Sequence, residues 1–185
     1  MPSAEITKRL LADELRHMLE TSSFESVRVS NLCQRCGISK QVFYYHFHSK
    51  YDLAAWITQQ IFAASVDEAT DGLDVNVHTR QLQDIWDNRE FYRKVMRDAS
   101  QNSIVPDIFD FYEKFNEEAL RRYLGVRQLN PEHVHAAKLF HYGLNMLIID
   151  WLNGKFEMSP AEFARYDFEH MPPIIRKCYE NYRKE

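Results

Sequence analysis

Glycine and proline are scarce in this chain of 185 residues, which has only 5 of the first and 6 of the second. Loop-rich and all-β designs need many more turn-formers, so the composition argues against both. The three cysteines, Cys33, Cys36 and Cys178, are an odd number at uneven spacing. That is no disulfide framework, and it suits a reducing cytoplasm. Long apolar runs are missing too. The most apolar window, LNMLIIDWL at 144–152, is about half the length that spans a bilayer. The charged, amphipathic start MPSAEITKRLLADEL lacks the unbroken apolar stretch of a signal peptide. No membrane partner is expected. Gly-x-Ser-x-Gly, a phosphate-cradling glycine loop and His-Glu-x-x-His are all absent from the sequence. No nucleophilic, nucleotide-cleaving or zinc-protease constellation therefore stands out. Carboxylate pairs such as Glu117-Glu118 read as a solvated helix face, and no enzyme is expected.

One further absence is local. From Ser26 to Tyr51 there is neither Asp nor Glu, while Arg28, Arg35, Lys40 and Lys50 stand there with His46 and His48. The whole chain has a formal charge of −4, and residues 58–185 carry 16 basic against 21 acidic side chains. A positive field on one end of an acidic body points to an anionic partner for that end alone.

What is present is material for a core: 45% apolar and 14% aromatic residues. The length fits one domain or two small ones. Nearly all of the pattern is helical. Ile6, Leu10, Leu11, Leu15, Met18 and Leu19 predict a helix over about 4–20. Val29, Leu32, Cys33 and Cys36 form one apolar stripe on a short helix that ends at Gly37. Ser39 is placed to cap a second short helix from Lys40. Ser49 is placed to cap a third helix, with Asp52 completing a capping box. The polar stretch 67–78 reads as a link. Beyond it the pattern predicts helices near 79–87, 89–101, 106–124, 131–153 and 160–182, with Pro172-Pro173 kinking or ending the last one. The expected fold is all-α.

A short helix, a turn beginning at Gly37 and a second short helix make a helix-turn-helix. A helix of seven residues is only about 10 Å long and does not persist alone, so a supporting core must hold it. Phe43 and Phe47, spaced i, i+4, are expected to face that core with Leu32, Ile38 and Leu53. Cys33-x-x-Cys36 followed by His46-x-His48 invites a zinc reading, but the spacings do not fit a zinc finger. Both cysteines lie on the apolar stripe, where a free thiol packs as a small hydrophobe. A redox-sensing role is the other alternative. No metal and no cofactor is expected.

The segment GISKQVFYYHFHSKYDL resembles the signature of the tetracycline-repressor (TetR/AcrR) family of transcriptional regulators. Residues 6–57 match that head without gaps. The form Lys40-Gln41-Val42-Phe43-Tyr44-Tyr45-His46-Phe47 is similar to the dihydroxyacetone-kinase-regulator branch, as are FYRKVMRDASQNS (91–103) and GLNMLIIDWLNGKFEMSPAEF (143–163). The resemblance implies a DNA-binding domain over 1–52 and a helical regulatory and dimerisation domain over 53–185. It implies that Lys40, Gln41, Val42 and Tyr44 approach base edges in the major groove. Tyr45, His46 and Lys50 would hold phosphates, and Ser30 and Ser39 could donate to phosphates as well as cap. Two departures stand out. Arg28 occupies a position where the family commonly has a capping Thr or Ser, so either the cap slips to Ser30 or Arg28 reaches a phosphate. Cys33 and Cys36 stand where Ala is common.

The resemblance also implies a homodimer, paired through the helices at 131–153 and 160–182, with Gly143 permitting close approach. The alternative is an intramolecular core of the same composition. A palindromic duplex is the matching DNA. Trp86, Phe91, Tyr92, Met96, Phe109, Tyr112, Phe115, His141, Tyr142, Asn145 and Met146 could line a pocket for a small-molecule effector. They could equally be core, or a docking surface for a protein co-regulator. The resulting expectation is a repressor or activator of transcription. The competing one is a helical carrier or enzyme that merely retains a basic head.

Overall fold

The computed structural model describes residues 4–67, 69, 72–96 and 104–183. Among them there is no strand. Ten helices are formed there: α1 (Ala4–Thr21), α2 (Val29–Arg35), α3 (Lys40–His46), α4 (Lys50–Asp67), α5 (Val75–Asp87), α6 (Arg89–Met96), α7 (Val105–Leu124), α8 (Pro131–Leu152), α9 (Pro160–His170) and α10 (Pro173–Glu180). The far end of the helix expected over 89–101, and residues 68, 70 and 71 of the expected link, lie outside the described residues.

The chain divides into two compact units. One comprises residues up to Thr58 and Arg89–Val105; the other comprises Gln59–Asn88 and Pro106 onward. The division falls inside α4, and α6 goes with the first unit although it follows α5 in sequence.

In the first unit Leu11, Leu15, Leu32, Phe43 and Leu53 are fully buried, with Phe24 and Phe47 almost so. Phe24 meets Tyr51 edge-on at 5.1 Å, and Phe47 meets Trp56 at 5.8 Å. The apolar period of α1 overshoots this core, because Ile6 and Leu10 are 58% and 43% exposed. α6 packs on α1: Lys94 Nζ donates to the Leu19 carbonyl and the Arg16 guanidinium lies 5.9 Å from the Phe91 ring centre. A cation there meets one of the carbonyls that the last turn of α1 leaves unpaired.

α2 ends as its sequence predicts. Ile38 N–H donates to Cys33 O at 3.0 Å and Gly37 N–H to Gln34 O at 3.2 Å, with Gly37 at φ +66°. This is a Schellman cap, and its left-handed residue requires glycine. Nothing lies within 4 Å of a Cβ built there, so the requirement is backbone conformation alone.

In the second unit α5 starts at Val75, four residues earlier than its apolar pattern suggests. Asp74 is the reason: its carboxylate accepts from the N–H groups of Asn76 and Val77, both at 2.9 Å. Ser159 and Glu162 form a reciprocal capping box on α9. The Pro172-Pro173 break separates α9 from α10 outright, so the single helix expected over 160–182 is two. α5 packs along α9 around Leu82, Trp151 and Phe163, where Trp86 stacks on Trp151 at 4.6 Å. Leu120, Ala137, Ile175 and Cys178 join α7, α8 and α10. Gly72 lies where a Cβ would be 2.4 Å from the Glu180 carbonyl, and Leu73 N–H donates to Tyr179 O at 2.8 Å.

Candidate nucleic-acid interface

α3 is fastened by one face and open on the others. Phe43 is fully buried, and the Ser39 hydroxyl accepts from Val42 N–H at 3.2 Å, which caps the helix as expected. Lys40 and Gln41 are exposed. Val42, Tyr44 and Tyr45 are 38%, 56% and 82% exposed. His46 is half-buried, with the Tyr45 ring edge-on to it at 5.0 Å. Two tyrosines and a valine left in water beside Lys40 and Gln41 form a mixed apolar and hydrogen-bonding face on one short helix. Such a face suits the edges of bases, which offer both kinds of contact.

The surrounding charges sort differently from their appearance in sequence. The Lys50 ammonium donates to the carbonyls of Phe24 (2.6 Å), Glu25 (3.0 Å) and Val27 (3.1 Å). It also lies 4.8 Å and 5.3 Å from the Phe24 and Tyr51 ring centres. Lysine has three donors, and here three carbonyls take them. The phosphate contact that the resemblance implies for Lys50 has no donor left in this arrangement. Arg35 is paired with Glu14, a carboxylate from outside the acid-free stretch. Arg28, Arg35 and Lys40 are the exposed cations of that stretch, with Arg35 held in its pair with Glu14.

Two capping expectations are corrected. The cap of α2 does not slip to Ser30: the helix starts at Val29, with Arg28 extended at the N-cap and making no side-chain cap bond. Arg28 is exposed and Ser30 half-buried. At α4 the Ser49 hydroxyl accepts from Asp52 N–H at 3.2 Å. The Asp52 carboxylate accepts from His48 N–H at 2.9 Å, one residue ahead of the cap, and faces His48 Nδ1 at 3.2 Å.

The cysteines behave as packing. Burial raises the Cys33 thiol, with Lys40 opposing it, and burial aided by the Glu14 charge raises Cys36 to about 11. Protonated thiols make poor redox sensors and poor metal ligands. Among the described residues no group of three or more His, Cys, Asp or Glu side chains could hold a metal ion. No described helix is long and apolar enough to cross a membrane.

The family profile described as "Transcriptional regulator C-terminal region" matches residues 76–169, half of the chain, and the one described as "Bacterial regulatory proteins, tetR family" matches residues 12–56. The chain belongs to the TetR family. This TetR-family regulator is 25% identical over 96 residues to the HTH-type dhaKLM operon transcriptional activator DhaS of Lactococcus lactis subsp. lactis (strain IL1403). That match covers 51% of the chain and spans about half the length of the relative, 51%. In fold it is similar to a solved structure titled dihydroxyacetone kinase operon activator DhaS (TM-score 0.62, 15% identity, 97% of this chain and 99% of that one). It is also similar to a TetR-family transcriptional regulator from Streptomyces coelicolor (TM-score 0.55, 13% identity, 98% and 91%).

The expected effector residues fall in both units. Tyr92 and Met96 lie in the first unit; Trp86, Tyr112, His141, Tyr142 and Asn145 lie in the second. Trp86 is spent on Trp151. Tyr112 meets Phe62 edge-on at 5.0 Å, and burial raises its phenol to about 12. Asn145 Nδ2 donates to the His141 carbonyl at 2.8 Å within α8. Tyr142 stacks on Phe109 at 5.8 Å. His141 is the exception: it is 7% exposed, with Nε2 3.4 Å from the Tyr179 hydroxyl. Sequence reasoning missed its companions, Asn116 and Tyr179. A signal existed for the first. Asn116 falls on the buried stripe of α7 with Ile108, Ala119 and Leu120, where an amide is out of place.

Proposed function

We propose that the first unit of this transcriptional regulator reads a palindromic duplex as one half of a homodimer, and that the second unit carries dimerisation and effector control. The observation that carries the reading is the α3 face: Lys40, Gln41, Val42 and Tyr44 exposed side by side on a helix whose other face is buried and whose start is capped by Ser39. In this reading Lys40 donates to guanine, Gln41 pairs with adenine and Val42 covers a thymine methyl, with Tyr44 beside them. Arg28, Ser30, Ser39, Tyr45 and His46 contact phosphates. Lys50 acts indirectly, by holding the turn from which α2 departs.

An exposed stripe on α8 supports the dimer. Leu139, Tyr142, Met146 and Leu147 are 68%, 42%, 49% and 46% exposed, and the exposed Gly143 has open space where a Cβ would stand. Two reading helices about 34 Å apart match half-sites one turn apart. The word "activator" in the name of the Lactococcus relative favours activation over repression. A chain of this kind acts in the cytoplasm, where the DNA is.

The experiment is selection of bound duplexes from random-sequence DNA at moderate salt, followed by measurement of the complex mass. Enrichment of a palindrome held by two copies is expected. Adhesion to all duplexes alike, with the same salt dependence, overturns the reading.

A further inference from the structure

The ammonium of Lys50 is committed to the carbonyls of Phe24, Glu25 and Val27. The next candidate for an outward cation between α3 and α4 is the imidazole two residues earlier. His48 stands between two fastened neighbours. Phe47 is 2% exposed, and the Ser49 hydroxyl accepts from Asp52 N–H at 3.2 Å at the start of α4. The His48 side chain itself is 99% exposed. It is nevertheless tethered, because Asp52 Oδ2 accepts from His48 N–H at 2.9 Å and lies 3.2 Å from His48 Nδ1. The backbone contact already ties Asp52 to the chain ahead of α4, and an exposed pair adds little to stability. The ring contact therefore contributes direction more than stability: it holds Nδ1 inward and leaves Nε2 facing water.

That direction has a chemical consequence. A carboxylate only accepts hydrogen bonds, so the proton of the neutral ring stands on Nδ1 and Nε2 presents a lone pair. A phosphate oxygen also only accepts, and the neutral ring offers it nothing. Once the ring is protonated, Nε2–H is a donor. The charge moves in the same sense. Without the second proton the His48–Asp52 pair is a net negative charge; with it the pair is neutral. Asp52, on α4, is the titratable group that faces this ring. α3 turns His46 toward the rings of Tyr45 and Phe47 at 5.0 and 6.5 Å, and α1 sets Lys8 Nζ 5.9 Å from the Phe47 ring centre.

We infer that His48 is a proton-dependent phosphate contact: the protonated ring donates Nε2–H to a phosphate oxygen of the duplex, and each head takes up one proton at His48 as it binds. His48 lies two residues beyond the end of α3, within the stretch from Ser26 to Tyr51 that holds no Asp or Glu. A phosphate reached there is continuous with the exposed face of Lys40, Gln41 and Tyr44. Imidazole is the side chain whose charge changes between about pH 5 and 8. DNA affinity therefore rises as the pH falls through that range. The inference rests on reading the first unit as the DNA-binding part, and it adds to that reading one contact and one form of control.

The test measures the affinity of the full chain for a short duplex of mixed sequence at constant salt, because phosphate contacts carry no sequence information. The natural chain should bind about tenfold more tightly at about pH 6 than at about pH 8. His46 titrates on the same face, so the variants decide. His48→Gln should take up about one proton fewer per head on binding, read from the binding heat in two buffers of different ionisation enthalpy. His48→Lys carries its charge throughout the range. It should bind about tenfold more tightly than the natural chain at about pH 8, with a flatter profile toward about pH 6. A merely structural role would give neither the lost proton nor the gain with lysine. The ring is exposed, so both variants should keep the natural melting curve. Unchanged proton uptake in His48→Gln, or no gain in His48→Lys, overturns the inference. The duplex selection is scored separately. A palindrome selected by a chain whose His48→Gln form keeps its full proton uptake removes this contact alone. A chain that selects no palindrome, yet loses its proton uptake in His48→Gln, keeps the contact and removes the sequence reading.

Discussion

Lys50 Nζ sits 2.6 Å from the carbonyl oxygen of Phe24, twenty-six residues earlier in the chain. The same ammonium takes the Glu25 and Val27 carbonyls, so one cation organises the whole turn ahead of α2. Lys50→Met keeps the aliphatic stem and removes the donors. It should destabilise the first unit by about 2 kcal/mol, the scale of hydrogen bonds to a charged group. Thermal unfolding checks this. DNA affinity should fall through disorder of the turn, with the salt slope unchanged. Arg28→Ala should do the reverse: little change in stability and a slope lower by about one counterion. A lowered slope with unchanged stability for Lys50→Met would restore it as a phosphate contact.

Gln41 is exposed on α3, one residue past its start. Gln41→Ala should leave the fold intact and relax the preference at one base position in each half-site, at about 1–3 kcal/mol. Repeating the duplex selection with the variant measures it. An equal loss on every sequence would show that Gln41 does not read a base.

Those two residues mark the limit of what the sequence makes legible. The α2–α3 turn was readable because it is local: Gly37 supplies the left-handed cap and Ser39 the next N-cap, each acting within a few residues. The Pro172-Pro173 break was readable for the same reason. Lys50 was not, because its acceptors lie 23 to 26 residues away, and periodicity carries no information at that range. The pairing of Arg35 with Glu14 spans 21 residues and was hidden likewise. The placement of α6 against α1 reverses sequence order, and the Tyr179–Asn116 bond spans 63 residues. Ile6 and Leu10 failed in another way. They fit the apolar period of α1, but the core does not reach them.

Gly37 offers a test of the local logic. Its φ of +66° is a conformation that L side chains rarely adopt, and no atom lies within 4 Å of a built Cβ. Gly37→Ala should therefore cost only the backbone term, about 1–2 kcal/mol, seen as a lower melting temperature. Crowding would cost more, and a flexible turn would cost nothing.

His141 should make stability depend on pH. Burial lowers its pKa to about 3 in the folded chain, from an ordinary value of 6.5. Below the higher value the unfolded state binds a proton that the folded state refuses. Stability is therefore full above pH 6.5 and falls as the pH drops toward about 3. The slope is at most about 1.4 kcal/mol per pH unit. Urea unfolding at neutral pH and at about pH 5 should show this loss, and His141→Gln should remove its share of it. An identical pH dependence in the variant would mean that His141 is not the group that titrates.

The α8 stripe gives the last prediction. Leu139 is 68% and Met146 49% exposed, so neither holds the chain's own core together. A glutamate at each position costs an isolated chain little. Across a two-fold axis the same patch meets itself, and four carboxylates would then be buried against apolar surface and one another. The double variant Leu139→Glu, Met146→Glu should sediment as a monomer with its helical content and melting curve preserved. Its affinity for a palindromic duplex should fall by orders of magnitude while affinity for a single half-site is kept. A variant that still sediments as a dimer would place the interface on another face.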